Sequence, residues 1–301
     1  MNTPVVVLGP TASGKSDVAM AAARAVADTE IVAVDAMQVY RGMDIGTAKP
    51  TPADRAAVVH HGLDLAEPAD SFSVADYRAA YDSFRPTIDG HPLLVAGTGL
   101  YLTAVLDRLD VPGRWPDVRA ALDAELDDGT DLDLLHTRLA ELDPAAARRI
   151  ERGNERRIVR ALEVTIGSGR PFSSFGPGVA AFPATDAVLI GVRWPRAVLA
   201  ARVATRVEQM IAAGLLMEVE ALARRSLSPT ARQALGYKEL LDHLAGAVSL
   251  EQSVATIVAR TRRFAVRQER WFRRDGRIRW FDIDCDPVAE VAPAVVEALR
   301  A

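Results

Sequence analysis

A chain of 301 residues with 49% hydrophobic and 25% charged positions is ordinary globular material, long enough for one large domain or for one domain carrying an insertion. Its formal charge of −4 excludes an all-over basic coat for nucleic acid, although a local basic patch remains compatible with phosphate recognition. No apolar run suits a membrane span, no secretory leader opens the chain, and the single cysteine, Cys285, excludes an internal disulfide; a cytoplasmic protein with no membrane association and no structural zinc is expected.

In chain order, residues 4–9 form a Val-rich strand ending at Gly9, and 14–27 an Ala-rich helix. A strand near 31–34, a helix over 74–88, a strand over 92–96 and a helix after Gly99 follow. Short apolar runs separated by helices predict an α/β core whose parallel sheet is covered on both faces. From about Pro112 the pattern becomes successive helices, over 115–126, 132–142, 144–152 and 155–166, with no strand between them. A Gly/Pro/Ser-rich connector over 167–183 leads to a strand at 187–194 that can rejoin the sheet. Helices over 195–213 and 250–274, a strand at 278–283 and a last helix complete the chain. The expected organisation is therefore a core of 1–112 and 184–301 with an all-helical insertion, 113–183.

Gly9, Pro10, Thr11, Ala12, Ser13, Gly14, Lys15 and Ser16 satisfy G-x-x-x-x-G-K-[ST] between a predicted strand and a predicted helix, which is the context this motif requires. Backbone N–H groups in such a loop face a phosphate, Lys15 adds a point charge, and Ser16 can ligate Mg²⁺. The motif says polyphosphate without saying which. No apolar strand ending in Asp-Glu follows; instead the second strand runs into Asp35, at the sheet end that faces the ligand crevice. Asp35 is placed to touch substrate, as a Mg²⁺ partner through water or as a proton acceptor, or else it is a turn residue.

Further segments carry more. GPTASGKS at 9–16, DAMQVYRGMDIGTAKP at 35–50, AGTGLYL at 96–102, RRIVRALEV at 156–164, ARVATRVEQMIAAGLLMEVEAL at 201–222 and ALGYKE at 234–239 together resemble the tRNA dimethylallyltransferase family, which is related to adenylate isopentenyltransferases. The resemblance spans most of the chain. It implies a P-loop NTPase-like core with a helical insertion, and a phosphate loop that holds dimethylallyl diphosphate with Mg²⁺ instead of hydrolysing a nucleotide. The reaction it implies is attack by N6 of the adenosine 3′-adjacent to the anticodon, in tRNAs reading codons that start with U, with loss of pyrophosphate. Carried over by position, Gly9 to Ser16 bind the diphosphate, Asp35 is the general base, Thr98 lines the reaction channel and Arg206 lies near the diphosphate, with Arg202 as the weaker choice. Asp35, Ala36, Met37, Gln38, Thr47, Lys49, Arg156, Arg157 and Arg160 contact the anticodon stem-loop.

The residues leave alternatives open. Gln38 can read an adenine edge with its amide or close a turn, and the Gly/Pro-punctuated segment carrying Thr47 and Lys49 is either close to bound RNA, as the resemblance implies, or a purely structural turn. The arginines of the insertion can clamp RNA, or form a solvated face laced with Glu151, Glu155 and Glu163. The run Arg260, Arg262, Arg263, Arg267, Arg270, Arg273 and Arg274 can flank tRNA or be a plain basic surface, while Trp271, Phe272, Trp280 and Phe281 read as core. Ala96 stands where relatives commonly have glycine, and no Cys/His extension follows the last helix, so a bacterial-type, monomeric enzyme is expected. Competing readings are a small-molecule kinase that uses the loop for ATP, a transferase acting on free AMP or ADP, and a nucleic-acid-binding module without catalysis.

Overall fold

A computed structural model of the chain describes residues 3–176, 178, 179 and 181–301; Pro177 and Ala180 of the predicted connector lie outside the described residues. Six strands, β1 (Val5–Leu8), β2 (Thr29–Val34), β3 (His60–His61), β4 (His91–Ala96), β5 (Val188–Arg193) and β6 (Arg279–Asp282), form one sheet in the order β3-β2-β4-β1-β5-β6. Every pairing is parallel. β1 explains why: VVVL has no polar face, so both of its sides must be covered, and all four residues are buried. Alternate positions feed two cores. Val6, Leu8, Val32, Val34 and Leu94 pack on one side, and Val5, Val7, Ile31, Leu93 and Ile190 on the other. Each such side chain contributes roughly 1.5–3 kcal/mol of transfer free energy.

The second core explains the Ala-rich first helix, Lys15–Ala25. Its buried face is Val18, Ala19, Ala22 and Ala23, small enough for the C-terminal helix Pro287–Arg300 to pack Val291, Val295 and Leu299 into the same cluster. The helix begins at Gly14, whose φ of 90° belongs to the left-handed region, and a Cβ there would lie 2.6 Å from Pro287 Cγ. Glycine is thus required at this position twice over.

Sheet order decides where the site lies. β2, β4 and β1 are consecutive neighbours, and Ala96 is in register with both Leu8 and Val34. The three strands therefore end level, so the loops beginning at Gly9, Asp35 and Gly97 emerge side by side. Ala96 is fully buried with strand geometry, which accommodates its methyl group.

The chain divides into two compact units, residues 1–107 with 182–301, and residues 108–181. The second contains helices Pro116–Asp127, Leu132–Leu142, Pro144–Arg149 and Glu155–Ser168 around a core of Leu122, Leu135, Leu139, Ile158, Val159 and Leu162. Asp143 serves as the N-cap of Pro144–Arg149 and also accepts from Ser173 N and Oγ; these bonds outweigh its desolvation and hold its carboxyl below the usual range. The third of these helices stops at Arg149, where Ile150 turns extended, and not at 152.

Several elements go beyond the sequence expectation. Gly214, at φ 100°, separates the helix Arg196–Ala212 from a second one, Leu215–Ala223. Helices Pro52–Ala57, Pro229–Arg232 and Tyr237–Leu244 and the two-residue β3 are too short to carry a legible period. The long helix Leu250–Phe272 ends before a turn at Asp275. Among the described residues no helix is long and apolar enough to cross a membrane.

Candidate active site

The phosphate loop is held from outside by its carbonyls. Arg202 Nε donates to Ala12 O and Trp194 Nε1 to Ser13 O, both at 2.9 Å, and the Arg202 guanidinium lies 4.5 Å over the Trp194 ring. Ala12 adopts a left-handed φ of 63°, as Gly14 does at 90°. Left-handed residues among right-handed ones bring successive N–H groups to one side, which forms an anion-binding concavity. Ser13 Oγ is buried and has no partner.

Positive charge converges on this concavity. Among the described residues Lys15 makes only a long contact, 3.5 Å, with Pro10 O. Burial, and then the nearby Arg206, bring its pKa down from 10.5 to about 8, against the pull of Asp35 and Asp17. Arg206 is half-buried and forms no hydrogen bond or ion pair among the described residues; burial lowers its pKa, Asp35 and Asp17 oppose that, and Arg202 reinforces it. Desolvated cations without partners are unfavourable in the empty protein, and an anion between them would relieve both. Of the two arginines weighed from sequence, Arg202 is engaged with the loop and Arg206 is the open one.

Asp35 follows β2. Its Oδ1 accepts from Met37 N at 2.8 Å and Gln38 N at 3.4 Å, while Oδ2 accepts nothing among the described residues. One oxygen anchors the carboxylate and the other is left to take a proton. Thr98 Oγ1 accepts from Ala36 N at 3.1 Å, tying the turn after β4 to the turn after β2. Gly97 sits between them: a Cβ there would lie 3.1 Å from Asp35 Oδ2 and 3.4 Å from Lys15 Cε. Asp35 and Lys15 thus flank one glycine.

The 35–50 loop is rigid for reasons the sequence did not disclose. Lys49, expected near RNA, has its side chain 1% exposed and donates to Tyr40 O, Asp44 and Asp64 at 2.6–2.7 Å. The structure gives it a different task, which is to hold the loop from inside. Thr47 Oγ1 donates to Met43 O, and Gln38 Nε2 donates to Thr47 O and Ala48 O, so these side chains also serve the loop's own backbone. From the other side, Glu218 accepts from the N–H groups of Asp44, Ile45 and Gly46 and from Tyr237 OH. Gly46 has no room for a side chain, since a Cβ would meet the Tyr237 ring at 2.5 Å. The quoted segments around Glu218 and Tyr237 therefore act through this loop.

Lys15, Ser16, Arg206 and Gln38 line a cleft of about 1870 Å³ whose lining also includes the apolar Ile31, Ala33 and Val95. Asp35 and Thr98 are not part of this lining and border the cleft from the loops after β2 and β4. For a metal, no cluster of His, Cys, Asp or Glu exists among the described residues. The exposed Ser16 hydroxyl, unbonded among the described residues and in the first turn of its helix, fits a Mg²⁺ ion otherwise held by ligand oxygens and water.

In the helical unit, Arg156 and Arg157 are exposed and make no side-chain bonds among the described residues. Arg160 instead donates to Glu163, Pro112 O and Gly113 O, which fixes the start of its own unit and removes it as a free RNA contact. In the 260–274 run, Arg260 pairs with the buried Glu239, whereas Arg262, Arg263, Arg267, Arg270, Arg273 and Arg274 are exposed. Phe272 is core, and Trp271 packs its ring against Gly99. Sequence reading missed Gln268, whose amide reaches into the site; a lone amide on the inward stripe of Ile257, Ala265 and Phe272 was the available signal.

Residues 38–275 match the family model for IPP transferase. The chain is 47% identical to a tRNA dimethylallyltransferase of Thermobifida fusca over 98% of its length and 95% of the relative's, and 46% identical to that of Kineococcus radiotolerans over 99% and 97%. Among solved structures, the full-length tRNA isopentenylpyrophosphate transferase of Bacillus halodurans is 36% identical, with a TM-score of 0.69 and 100% and 97% of the two chains covered. A eukaryotic dimethylallyltransferase, 21% identical with a TM-score of 0.80 and coverage of 98% and 78%, shares the fold.

Proposed function

The chain belongs to the IPP transferase family, and we propose that it works as a tRNA dimethylallyltransferase. It moves the dimethylallyl group from dimethylallyl diphosphate to N6 of the adenosine 3′-adjacent to the anticodon, in tRNAs reading codons that start with U, and releases pyrophosphate. The observation that carries this reading is the open oxygen of Asp35 beside Lys15, with an unpaired Arg206 completing the charge.

The residues divide the work simply. As the allylic C–O bond stretches, negative charge builds on the diphosphate, and the loop N–H groups, Lys15 and Arg206 are oriented before it appears. Mg²⁺ on Ser16, when bound, would neutralise further charge on the leaving group. The N6 amine attacks the allylic carbon and becomes acidic as it does so, and Asp35 Oδ2 takes its proton while Oδ1 stays anchored. Thr98, bonded to Ala36 N, holds the turn that borders the channel. Arg156 and Arg157 are left to meet the phosphate backbone of the anticodon stem-loop, and the rigid 35–50 loop to border the flipped-out base. A tRNA substrate is consistent with a cytoplasmic enzyme, and we take the monomer as its working form.

The test is transfer of labelled dimethylallyl to unmodified total tRNA, with AMP and with ATP plus acceptor hydroxyls as controls. Label in tRNA is the expected result; label in AMP alone, or ATP turnover without prenyl transfer, would assign the site to a different reaction.

Lys15 makes a further outcome predictable. Its low pKa means that below pH 8 it is charged before the donor arrives, whereas above pH 8 binding must drive protonation. An alkyl diphosphate has lost its last phosphate proton by then (second pKa about 6). Affinity for dimethylallyl diphosphate without tRNA should therefore be flat up to about pH 8 and fall by up to about tenfold per unit beyond it, until the pKa of the complex is reached. Titration calorimetry at pH 7, 8 and 9 reads this directly, and flat affinity through pH 9.5 would mean that Lys15 does not pair with the donor.

A further inference from the structure

Gln268 lies near the end of the helix Leu250–Phe272, is 7% exposed, and bonds with both ends of its amide. Its Oε1 accepts from Thr11 N at 2.9 Å, and its Nε2 donates to Gly97 O at 2.7 Å. Thr11 belongs to the phosphate loop after β1, and Gly97 to the turn after β4 that carries Thr98. Among the described residues the main chain links these two loops only by the longer Gly9 N to Ala96 O bond of 3.3 Å. The Gln268 amide is a side-chain tie between them.

Three further features make this more than a satisfied buried glutamine. The Thr11 N–H would otherwise face the anion, as phosphate-loop donors do, yet it is committed to a side chain from a distant helix. Around the point where a Gly97 Cβ would stand, Gln268 Nε2 lies at 3.5 Å, Asp35 Oδ2 at 3.1 Å and Lys15 Cε at 3.4 Å, so the amide borders both the base and the phosphate-binding lysine. One turn on, the Trp271 ring fills the space a side chain at Gly99 would need, which fixes the helix end against the same turn.

We propose that Gln268 is a positioning residue for the transfer: its amide locks the diphosphate loop to the Gly97–Thr98 turn and so sets the distance between leaving group and base. The inference rests on the prenyltransferase reading. Displacement of reacting groups by about 1 Å can lower a rate by about 10²-fold without touching binding. A residue that merely stabilises the fold would instead lower activity, affinity and thermal midpoint together.

The experiment compares wild type with Gln268→Met, which keeps the length of the side chain and loses both bonds. Turnover on unmodified tRNA and the dissociation constant of dimethylallyl diphosphate without tRNA are measured on each. The expected result is a fall in kcat of about 30-fold or more with donor affinity within about threefold of wild type, because the released Thr11 N–H can itself serve the diphosphate. A kcat within threefold of wild type overturns the proposal, and so does a parallel fall in kcat and affinity. If the Met variant does not fold, Gln268→Asn keeps the amide but is one methylene too short for both partners, and must show the same split. Absence of transfer by wild type itself would count against the prenyltransferase reading and is seen separately.

Discussion

Replacing Asp35 by Asn lowers kcat for prenyl transfer to tRNA by about 10²- to 10⁴-fold and leaves the affinity for dimethylallyl diphosphate unchanged or slightly raised. The two halves of this expectation have separate causes. Asn keeps an Oδ1 that can accept from Met37 N, so the turn survives, but it puts an N–H₂ where the open Oδ2 stood, and an amide cannot take the proton of the attacking amine. Affinity is expected to hold because the Asp35 carboxylate offers an anionic diphosphate neither a donor nor a counter-charge. Its negative charge favours the charged forms of Lys15 and Arg206 in the empty site, and once it is gone both cations have one competitor fewer for the incoming anion. Single-turnover transfer and donor titration on the same preparation check both halves. A rate within tenfold of wild type would remove Asp35 from the role of base, and a loss of affinity as large as the loss of rate would make it a donor-binding residue.

The largest expected effect on stability belongs to Arg277. Its guanidinium donates from Nε and Nη2 to Asp275, and from Nη1 and Nη2 to Asp107, with a further bond from Nη1 to Pro183 O. The carboxylates of Asp107 and Asp275 are 7% and 8% exposed. Bonds to Asp275, outweighing desolvation, and then to Asp107 raise the arginine's pKa above its ordinary value, so it is charged at any working pH. Replacing it by Met leaves two buried carboxylates facing each other without a counter-charge, at a cost of about 3–5 kcal/mol. Equilibrium urea unfolding reads this value. Adding Asp107→Asn and Asp275→Asn to the Met variant should recover a large part of it, because the unpaired charges are the source of the loss; no recovery would mean that lost packing, and not electrostatics, is responsible. The clamp also has a place in the topology. Asp107 closes the first segment of the core and Pro183 directly follows Phe182, which opens the second, so Arg277 ties together the two points where the chain leaves the core unit and returns to it.

The phosphate loop, the parallel core, the helical segment and Asp35 were legible in the sequence because each rests on local information. A glycine that must be left-handed, an apolar run without polar alternation and an acid at a strand end are properties of a few neighbouring residues. The resemblance then supplied substrate and reaction, which no period or spacing could. Lys49 and Arg160 show the limit of that route. A cation in a quoted motif looks like a phosphate contact, but Lys49 is enclosed by Tyr40 O, Asp44 and Asp64, and Arg160 by Glu163 and two carbonyls of its own unit.

By itself, then, the sequence determined the class of fold and marked the phosphate-loop motif and Asp35 as candidates for the site, since strand burial and loop conformation follow from short-range sterics and hydrophobic pattern. Only the tertiary structure decided which charged groups are available for chemistry. Arg202 and Arg206 are one turn apart and alike as residues, yet one is bonded to Ala12 O and stacked on Trp194 while the other is open beside Lys15. Gln268 meets Thr11 across 257 positions of sequence, and Glu218 meets Asp44 across 174. Hydrogen bonds are made at about 3 Å in space whatever the separation along the chain, so the partners of a polar side chain are fixed by the sheet order and helix packing that bring distant segments together.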